Sequence, residues 1–152
     1  MSSPFERDVL ASAENIIYTT RRTVRFQDVD AAGTIYFPRI LEYFADAYVE
    51  LLVHRAGLDV PKLLRDKKWA APLAHAEADF LRPLFFGDVV DVDVVALKVG
   101  KTSATFGHRL RDGSGKAASI GHTVHVFVDP TTFQPIAVPK ELAALATVRA
   151  AS

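Results

Sequence analysis

The run Pro38-Arg39-Ile40-Leu41-Glu42-Tyr43-Phe44-Ala45-Asp46-Ala47-Tyr48-Val49-Glu50-Leu51-Leu52-Val53-His54-Arg55-Ala56-Gly57 decides the fold. Within it Leu41, Phe44, Tyr48 and Leu51/Leu52 recur at three- and four-residue steps, while Arg39, Glu42, Asp46 and Glu50 fall elsewhere. That is the pattern of a helix with one broad apolar stripe. Pro38 suits the first turn, where its missing N–H would find no partner, and Gly57 suits the C-terminal stop. At 1.5 Å per residue, a helix from Pro38 to about Ala56 is about 28 Å long.

Outward from this helix the chain is rich in strand signals. Ile16 to Gln27, with its Ile, Tyr, Thr, Val and Phe, reads as a strand, and a short helix is expected before it over Phe5 to Ala13. Downstream, Leu73 to Phe80 alternates, and Val90, Val92 and Val94 alternate with Asp91 and Asp93 within Val89 to Val99. Ser103 to Arg111 and Ala117 to Val128 follow, joined by the turn-forming Asp112-Gly113-Ser114-Gly115. Pro130 and Pro135 close the last strand, and Pro139 to Thr147 is expected as a terminal helix. One long helix after the first strand, then further strands in series, predicts an α+β domain with a largely antiparallel sheet of five or six strands. With no linker or internal repeat, residues 1–152 read as a single domain.

Composition narrows the function. The chain has 152 residues, no cysteine, and 18 Lys+Arg against 18 Asp+Glu, for a formal net charge of zero. Without cysteine there can be no disulfide, thiolate metal site or Cys nucleophile, and neutrality argues against a nucleic-acid partner. Glu6, Arg7, Asp8 and Glu14 interrupt the start, which lacks the apolar core of a signal peptide, and no apolar stretch reaches the roughly 18 residues of a membrane span. A cytoplasmic globule is the expectation. A radius of gyration of about 15 Å leaves room for one core but no inter-domain cleft, so a sizeable pocket would need a second subunit.

Several motifs lead nowhere. Gly100-Lys101-Thr102 has the ending of a phosphate-binding loop, but Val95 stands where the first glycine is required, and a hairpin turn fits better. No serine sits in a nucleophile elbow. His122 and His125 have an odd spacing that points them to opposite faces of a strand, while His54, His75 and His108 are scattered. No metal ligand set is expected. Glu42, Asp46, Glu50 and His54 share a helix face that reads as a solvated stripe, with Glu42 and Asp46 in reserve as general bases.

The loop before the helix is more specific. Asp28-Val29-Asp30-Ala31-Ala32-Gly33 sets two carboxylates and a glycine ahead of helix N–H groups that lack intrahelical acceptors and carry the positive end of the dipole. A thioester carbonyl placed there would be polarised, with Asp30 close enough to attack it or to activate water. The same residues also suit a plain turn in which Asp is a local cap.

Phe26-Gln27-Asp28-Val29-Asp30-Ala31-Ala32-Gly33-Thr34-Ile35-Tyr36-Phe37-Pro38, followed by the long helix, resembles the active-site segment of hot-dog-fold acyl-CoA thioesterases of the 4-hydroxybenzoyl-CoA type. Ala76-Glu77-Ala78-Asp79-Phe80-Leu81-Arg82-Pro83, Phe86-Gly87-Asp88 and Thr123-Val124-His125-Val126-Phe127-Val128-Asp129-Pro130 are also similar to members of that family, so that the likeness covers about residues 18 to 142. It implies a central helix wrapped by a curved sheet, a homodimer with one continuous sheet and active sites at the interface, and further pairing into a homotetramer. It implies Asp30 as the catalytic carboxylate, Gly33 as the turn glycine, and Phe37 as the residue whose backbone N–H binds the thioester oxygen.

Tyr36, Tyr43 and Trp69, with Tyr48 and Phe85, are expected as pocket aromatics. Arg82, with Lys98, Lys101 and Arg109, is expected to meet the phosphates of CoA. Ala31, in an Asp-Ala-Ala-Gly run followed by Tyr36-Phe37, leans toward the 1,4-dihydroxy-2-naphthoyl-CoA hydrolases. The implied activity is hydrolysis of an aromatic acyl-CoA without metal or organic cofactor, CoA being part of the substrate. Asp30 would act either as nucleophile through a mixed anhydride or as general base for water. An aliphatic acyl-CoA or acyl-carrier-protein substrate, and a non-catalytic acyl-CoA-binding module, remain as alternatives.

Overall fold

The computed structural model describes residues 16–151, so the helix expected over Phe5 to Ala13 lies outside the described residues. In chain order the elements are β1 (Ile16–Thr23), α1 (Phe37–His54), α2 (Val60–Arg65), β2 (Leu73–Phe80), β3 (Val89–Val99), β4 (Ser103–Arg111), β5 (Ala117–Val126) and α3 (Lys140–Ala151). The strands form one five-stranded sheet in the order β1-β3-β4-β5-β2, and every pairing is antiparallel. This is the α+β arrangement expected, with α1 laid across one face of the sheet.

Local chemistry sets the ends of the elements. α1 begins at Phe37 with Pro38 in its first turn. It ends at His54, and just beyond it Gly57, at a φ of 69°, lets the chain turn away while the N–H of Leu58 donates to the Leu52 carbonyl at 3.0 Å. β1 ends at Thr23 rather than Gln27, because Phe26–Asp28 winds into a 3-10 turn in which the Asp28 carboxylate accepts the Arg25 N–H at 2.9 Å. The sequence reading also missed α2, a single capped turn too short to show a period. There the Asp59 side chain accepts the Lys62 N–H at 3.1 Å, and Pro61 occupies the first turn.

The core is the interface between α1 and the sheet. Ile40, Tyr43, Phe44, Ala47, Tyr48, Leu51 and Leu52 of α1 are buried together with Val90, Val92 and Val94 of β3, Phe106 and Leu110 of β4 and Ala118 of β5. A Cβ on Gly121 of β5 would lie 3.0 Å from Phe44 Cε2 and would collide with the Glu77 carbonyl oxygen, so glycine is required where the helix presses on this strand.

Two histidines are built into this face. His108, wholly buried, stacks on Phe44 with ring centroids 4.9 Å apart, and His125 stacks on Tyr48 at 4.2 Å. The Thr123 hydroxyl sits between them, 2.9 Å from His108 Nε2 and 3.1 Å from His125 Nε2. His122, as its odd spacing requires, turns to the other face. The expectation that His54, His75 and His108 are scattered is corrected for two of them, because Thr123 links His108 to His125 and the β2–β5 register sets His75 beside His122, with ring centroids 5.3 Å apart.

Burial pushes the His108 imidazole down to about 3 from its ordinary 6.5, reinforced by His125 and His122, and burial also lowers His125. Both are neutral in the folded chain, whereas in the unfolded chain they take up protons below about pH 6.5. Their contribution to stability is therefore complete above about pH 6.5 and is lost progressively as pH falls toward the folded-state values. The expected slope is at most about 1.4 kcal/mol per pH unit for each histidine. Urea unfolding midpoints should decline steadily below about pH 6.5, and His108→Gln should remove part of that slope.

Candidate active site

The loop between β1 and α1 gives its two carboxylates opposite fates. Asp28 is fully buried. Its Oδ2 accepts the Tyr43 hydroxyl at 2.6 Å and the Arg25 N–H at 2.9 Å, with the Arg25 Nε at 3.3 Å, and Arg39 Nε stands 3.8 Å from Oδ1. Burial alone would raise this carboxyl, but the bonds from Tyr43 and Arg25 outweigh it and hold Asp28 below its ordinary value. Burial and the bond to Asp28 push the Tyr43 hydroxyl up. The Asp28 carbonyl meanwhile accepts the Tyr36 N–H at 2.8 Å, which ties the loop to the start of α1.

Asp30 faces outward. Val29 and Ile35 bridge as a miniature hairpin, closed by the Asp30 N–H to Thr34 carbonyl bond at 2.9 Å and the Gly33 N–H to Asp30 carbonyl bond at 3.0 Å. Gly33, at φ 81°, takes the left-handed position this turn demands. The Asp30 side chain is exposed, and its Oδ1 accepts the Ala32 N–H at 2.9 Å and the Thr34 hydroxyl at 3.4 Å.

Beside this turn lies a cavity of about 330 Å³, lined by Thr34, Ile35, Phe37, Phe80, Arg82 and Leu84 among others. The bond from the Ile35 N–H to the Leu84 carbonyl at 2.8 Å and the bridge between Thr34 and Phe85 pin the loop to the segment that follows β2. Because α1 begins at Phe37, that residue's N–H has no intrahelical acceptor and sits at the positive end of the helix dipole. The arrangement can polarise a carbonyl brought to the helix start, and Thr34 of the cavity lining donates its hydroxyl to the Asp30 carboxylate.

The structure puts Phe37 and Arg82 in the cavity lining, and Asp30 and Gly33 in the adjoining turn, whose Thr34 also lines it. Tyr36 is next to them, half-exposed, its ring 5.4 Å from that of Phe37. Tyr43 and Trp69 are not in the cavity lining. Tyr43 lies beneath the loop on Asp28, and Trp69 packs edge-on against Phe127 at 5.4 Å. Tyr48 covers His125, while Phe85 is exposed close by.

Arg82 pairs with Asp112 at 3.3 Å. Arg109 bonds Asp93 at 2.9 Å and is almost wholly buried, which leaves little of it for a phosphate. Glu42 is exposed and pairs with Arg39, Asp46 is exposed, and Glu50 bonds Arg22 and the Tyr18 hydroxyl. Gly100-Lys101-Thr102 is the β3–β4 turn, closed by Gly100 N–H to Ser103 carbonyl at 2.8 Å. Sequence reasoning named Asp28 as one of two loop carboxylates but not as the buried anchor. The signal for that role was Tyr43, on the buried stripe of α1 with a hydroxyl that needs a partner.

A long helix across this sheet order, with a carboxylate turn at its N-terminus, defines a hot-dog thioesterase domain. The family model of the Thioesterase-like superfamily matches residues 24–145. The 1,4-dihydroxy-2-naphthoyl-CoA hydrolase of Rippkaea orientalis is 33% identical over 115 residues, covering 74% of this chain and 83% of that protein. Its counterpart from Nostoc punctiforme is 32% identical over 125 residues, covering 82% and 83%. Among solved structures, a 1,4-dihydroxy-2-naphthoyl-CoA thioesterase from Synechocystis superposes with a TM-score of 0.79 at 23% identity, covering 86% of this chain and 95% of that one. The chain belongs to the Thioesterase-like superfamily.

The Asp28–Tyr43 bond generates a prediction. Tyr43→Phe leaves a buried carboxylate short of its shortest hydrogen bond and should cost about 1.5–3 kcal/mol of stability, measured by denaturant unfolding at neutral pH. Asp28, lowered in the folded state, contributes stability that is present above its unfolded value and lost as pH falls through its folded one, and Tyr43→Phe should shrink that acid-labile part.

Proposed function

We propose that this chain hydrolyses the thioester of an aromatic acyl-CoA, of the kind named for its relatives, 1,4-dihydroxy-2-naphthoyl-CoA. The observation that carries the reading is the Asp30–Gly33 turn, locked beside the N-terminus of α1 at the edge of a cavity. In this reading the thioester oxygen takes the Phe37 N–H, and the helix dipole stabilises the negative charge that develops on it. Asp30 removes a proton from water as the water oxygen bonds to the acyl carbon. The C–S bond then breaks, and the proton passes to the departing CoA thiolate. In the other route an Asp30 oxygen bonds to the acyl carbon as the C–S bond breaks and CoA leaves as its thiolate; water then cleaves the mixed anhydride to the free acid and the Asp30 carboxylate, and a proton released in that step ends on the thiolate. Either route runs without a metal or organic cofactor.

Phe37 and Phe80, with ring centroids 6.1 Å apart on the cavity wall, suit a flat aromatic acyl group. Arg82 is the cationic lining residue and the candidate for a CoA phosphate, which would have to displace Asp112. About 330 Å³ lies at the small end for a ligand site, enough for an acyl group but not for CoA. The remaining surface is assigned to a second copy of the chain.

That copy is proposed to pair along β2. The β1 edge displays Arg21 and is tied to α1 through Arg22 and Glu50, whereas the β2 edge exposes Leu73 and Phe80. Pairing of two such dimers into a tetramer is the further assembly. Among the described residues no helix is long and apolar enough to cross a membrane, and a cytoplasmic location belongs to the same reading.

Thiol release should be faster with aromatic than with aliphatic acyl-CoAs, and Asp30→Asn should lower kcat by roughly 10²- to 10⁴-fold while the protein stays folded. Near-wild-type turnover by that variant would remove Asp30 from the chemistry. Binding of acyl-CoA with no thiol released would leave a binding module. In sedimentation equilibrium the wild-type chain should run as a dimer or a multiple of it, and Leu73→Glu should shift the population toward single chains.

A further inference from the structure

On the face of the sheet turned away from α1, the β2–β5 pairing sets Glu77 directly opposite His122, with His75 two residues along the same face. His122 Nδ1 lies 3.2 Å from Glu77 Oε1, and His75 Nε2 lies 3.5 Å from Glu77 Oε2. The imidazoles stack at 5.3 Å with planes 28° apart, and one donor atom from each of the three residues falls within 4.8 Å of the others. Three good ligands therefore converge from two adjacent strands, and none of them lines the cavity beside the Asp30 turn.

We propose that His75, Glu77 and His122 bind one divalent transition-metal ion of the borderline class, with Zn²⁺ as the reference case. A tetrahedral Zn²⁺ with bonds of about 2.0–2.1 Å holds its donors about 3.4 Å apart. Each imidazole already stands at about that spacing from one oxygen of the Glu77 carboxylate, 3.2 Å to Oε1 and 3.5 Å to Oε2, so a turn of the exposed carboxylate presents one oxygen to the ion between them. The gap between the imidazoles closes by rotation of His75, whose side chain is 54% exposed, while His122 at 3% exposure is the fixed ligand. Two nitrogens and one oxygen, with water in the fourth position, suit Zn²⁺, Co²⁺ or Ni²⁺. They do not suit Ca²⁺ or Mg²⁺, which favour shells built of oxygen. The ion would staple edge strand β2 to β5, so its effect is on stability, and it takes no part in thioester cleavage.

The test uses the untagged full chain, stripped with a chelator and titrated with Zn²⁺ by calorimetry and with Co²⁺ by visible absorption. One ion per chain is expected, with the intense d–d band of tetrahedral Co²⁺ and a rise in Tm on adding Zn²⁺. His75→Ala and Glu77→Gln alter side chains that are at least 40% exposed, so both variants should fold. Each should weaken Zn²⁺ binding at least about tenfold and abolish the Tm rise. His54→Ala, on α1, should bind as the wild type does. Absence of stoichiometric binding, or wild-type affinity in both His75→Ala and Glu77→Gln, would overturn the assignment.

Discussion

Asp28 is a carboxylate with no exposure to water, and such a group is tolerated only where hydrogen bonds and opposite charge replace its hydration. The Tyr43 hydroxyl reaches it from the middle of the helix's buried stripe, Arg25 from the turn behind it, and Arg39 from the helix start. Each of these contacts holds the same object, the loop that carries Asp30, against the same support, the first turns of α1. The loop can therefore be irregular without being loose. The turn that carries the outward carboxylate is held to the start of α1 because the inward one is anchored. Losing the anchor would leave an uncompensated buried charge and would also unfasten the turn from the helix.

α1 was legible because eighteen residues give a 3.6-residue period several turns in which to show itself, with Pro38 and Gly57 marking the ends. The Asp30–Gly33 turn was legible from its chemistry, since few residues besides glycine accept a φ of 81°. The end of β1 was not. Val24 to Gln27 has strand composition, and only the side-chain bond from Asp28 back to the Arg25 N–H, a local competitor of the ladder, ends the strand early. Nor could composition say which loop aspartate is buried, because that depends on Tyr43, fifteen residues away. Tyr43 itself was expected in the pocket, but an aromatic ring on an apolar stripe carries no sign of where its hydroxyl will find a partner.

The histidines show the same limit at longer range. Parity along β5 separates His122 from His125, and the structure keeps them on opposite faces. Parity cannot reveal that Glu77 will stand opposite His122, because register is a property of two strands joined by a distant connection. The two faces of β5 thus acquire different chemistry from similar residues. Toward α1, imidazoles are stacked on aromatic rings and held neutral, while away from it an imidazole meets a carboxylate and a second imidazole that reaches solvent.

Net neutrality also takes on a different meaning once the charges are placed. Asp93 engages Arg109 and Arg111, Asp28 engages Arg25 and Arg39, and Glu50 engages Arg22, so much of the balance is internal pairing. A polyanionic substrate approaching such a surface meets little long-range field and must rely on contacts at short range. Arg82 is the cation at the cavity, and its present partner is a single carboxylate at 3.3 Å on a side chain 45% exposed. Exposed pairs of this kind contribute little, whereas a phosphate offers a guanidinium more charge and a bidentate geometry. Under the proposed function, the pair with Asp112 is weak enough for a phosphate to displace it from Arg82, which already lines the cavity.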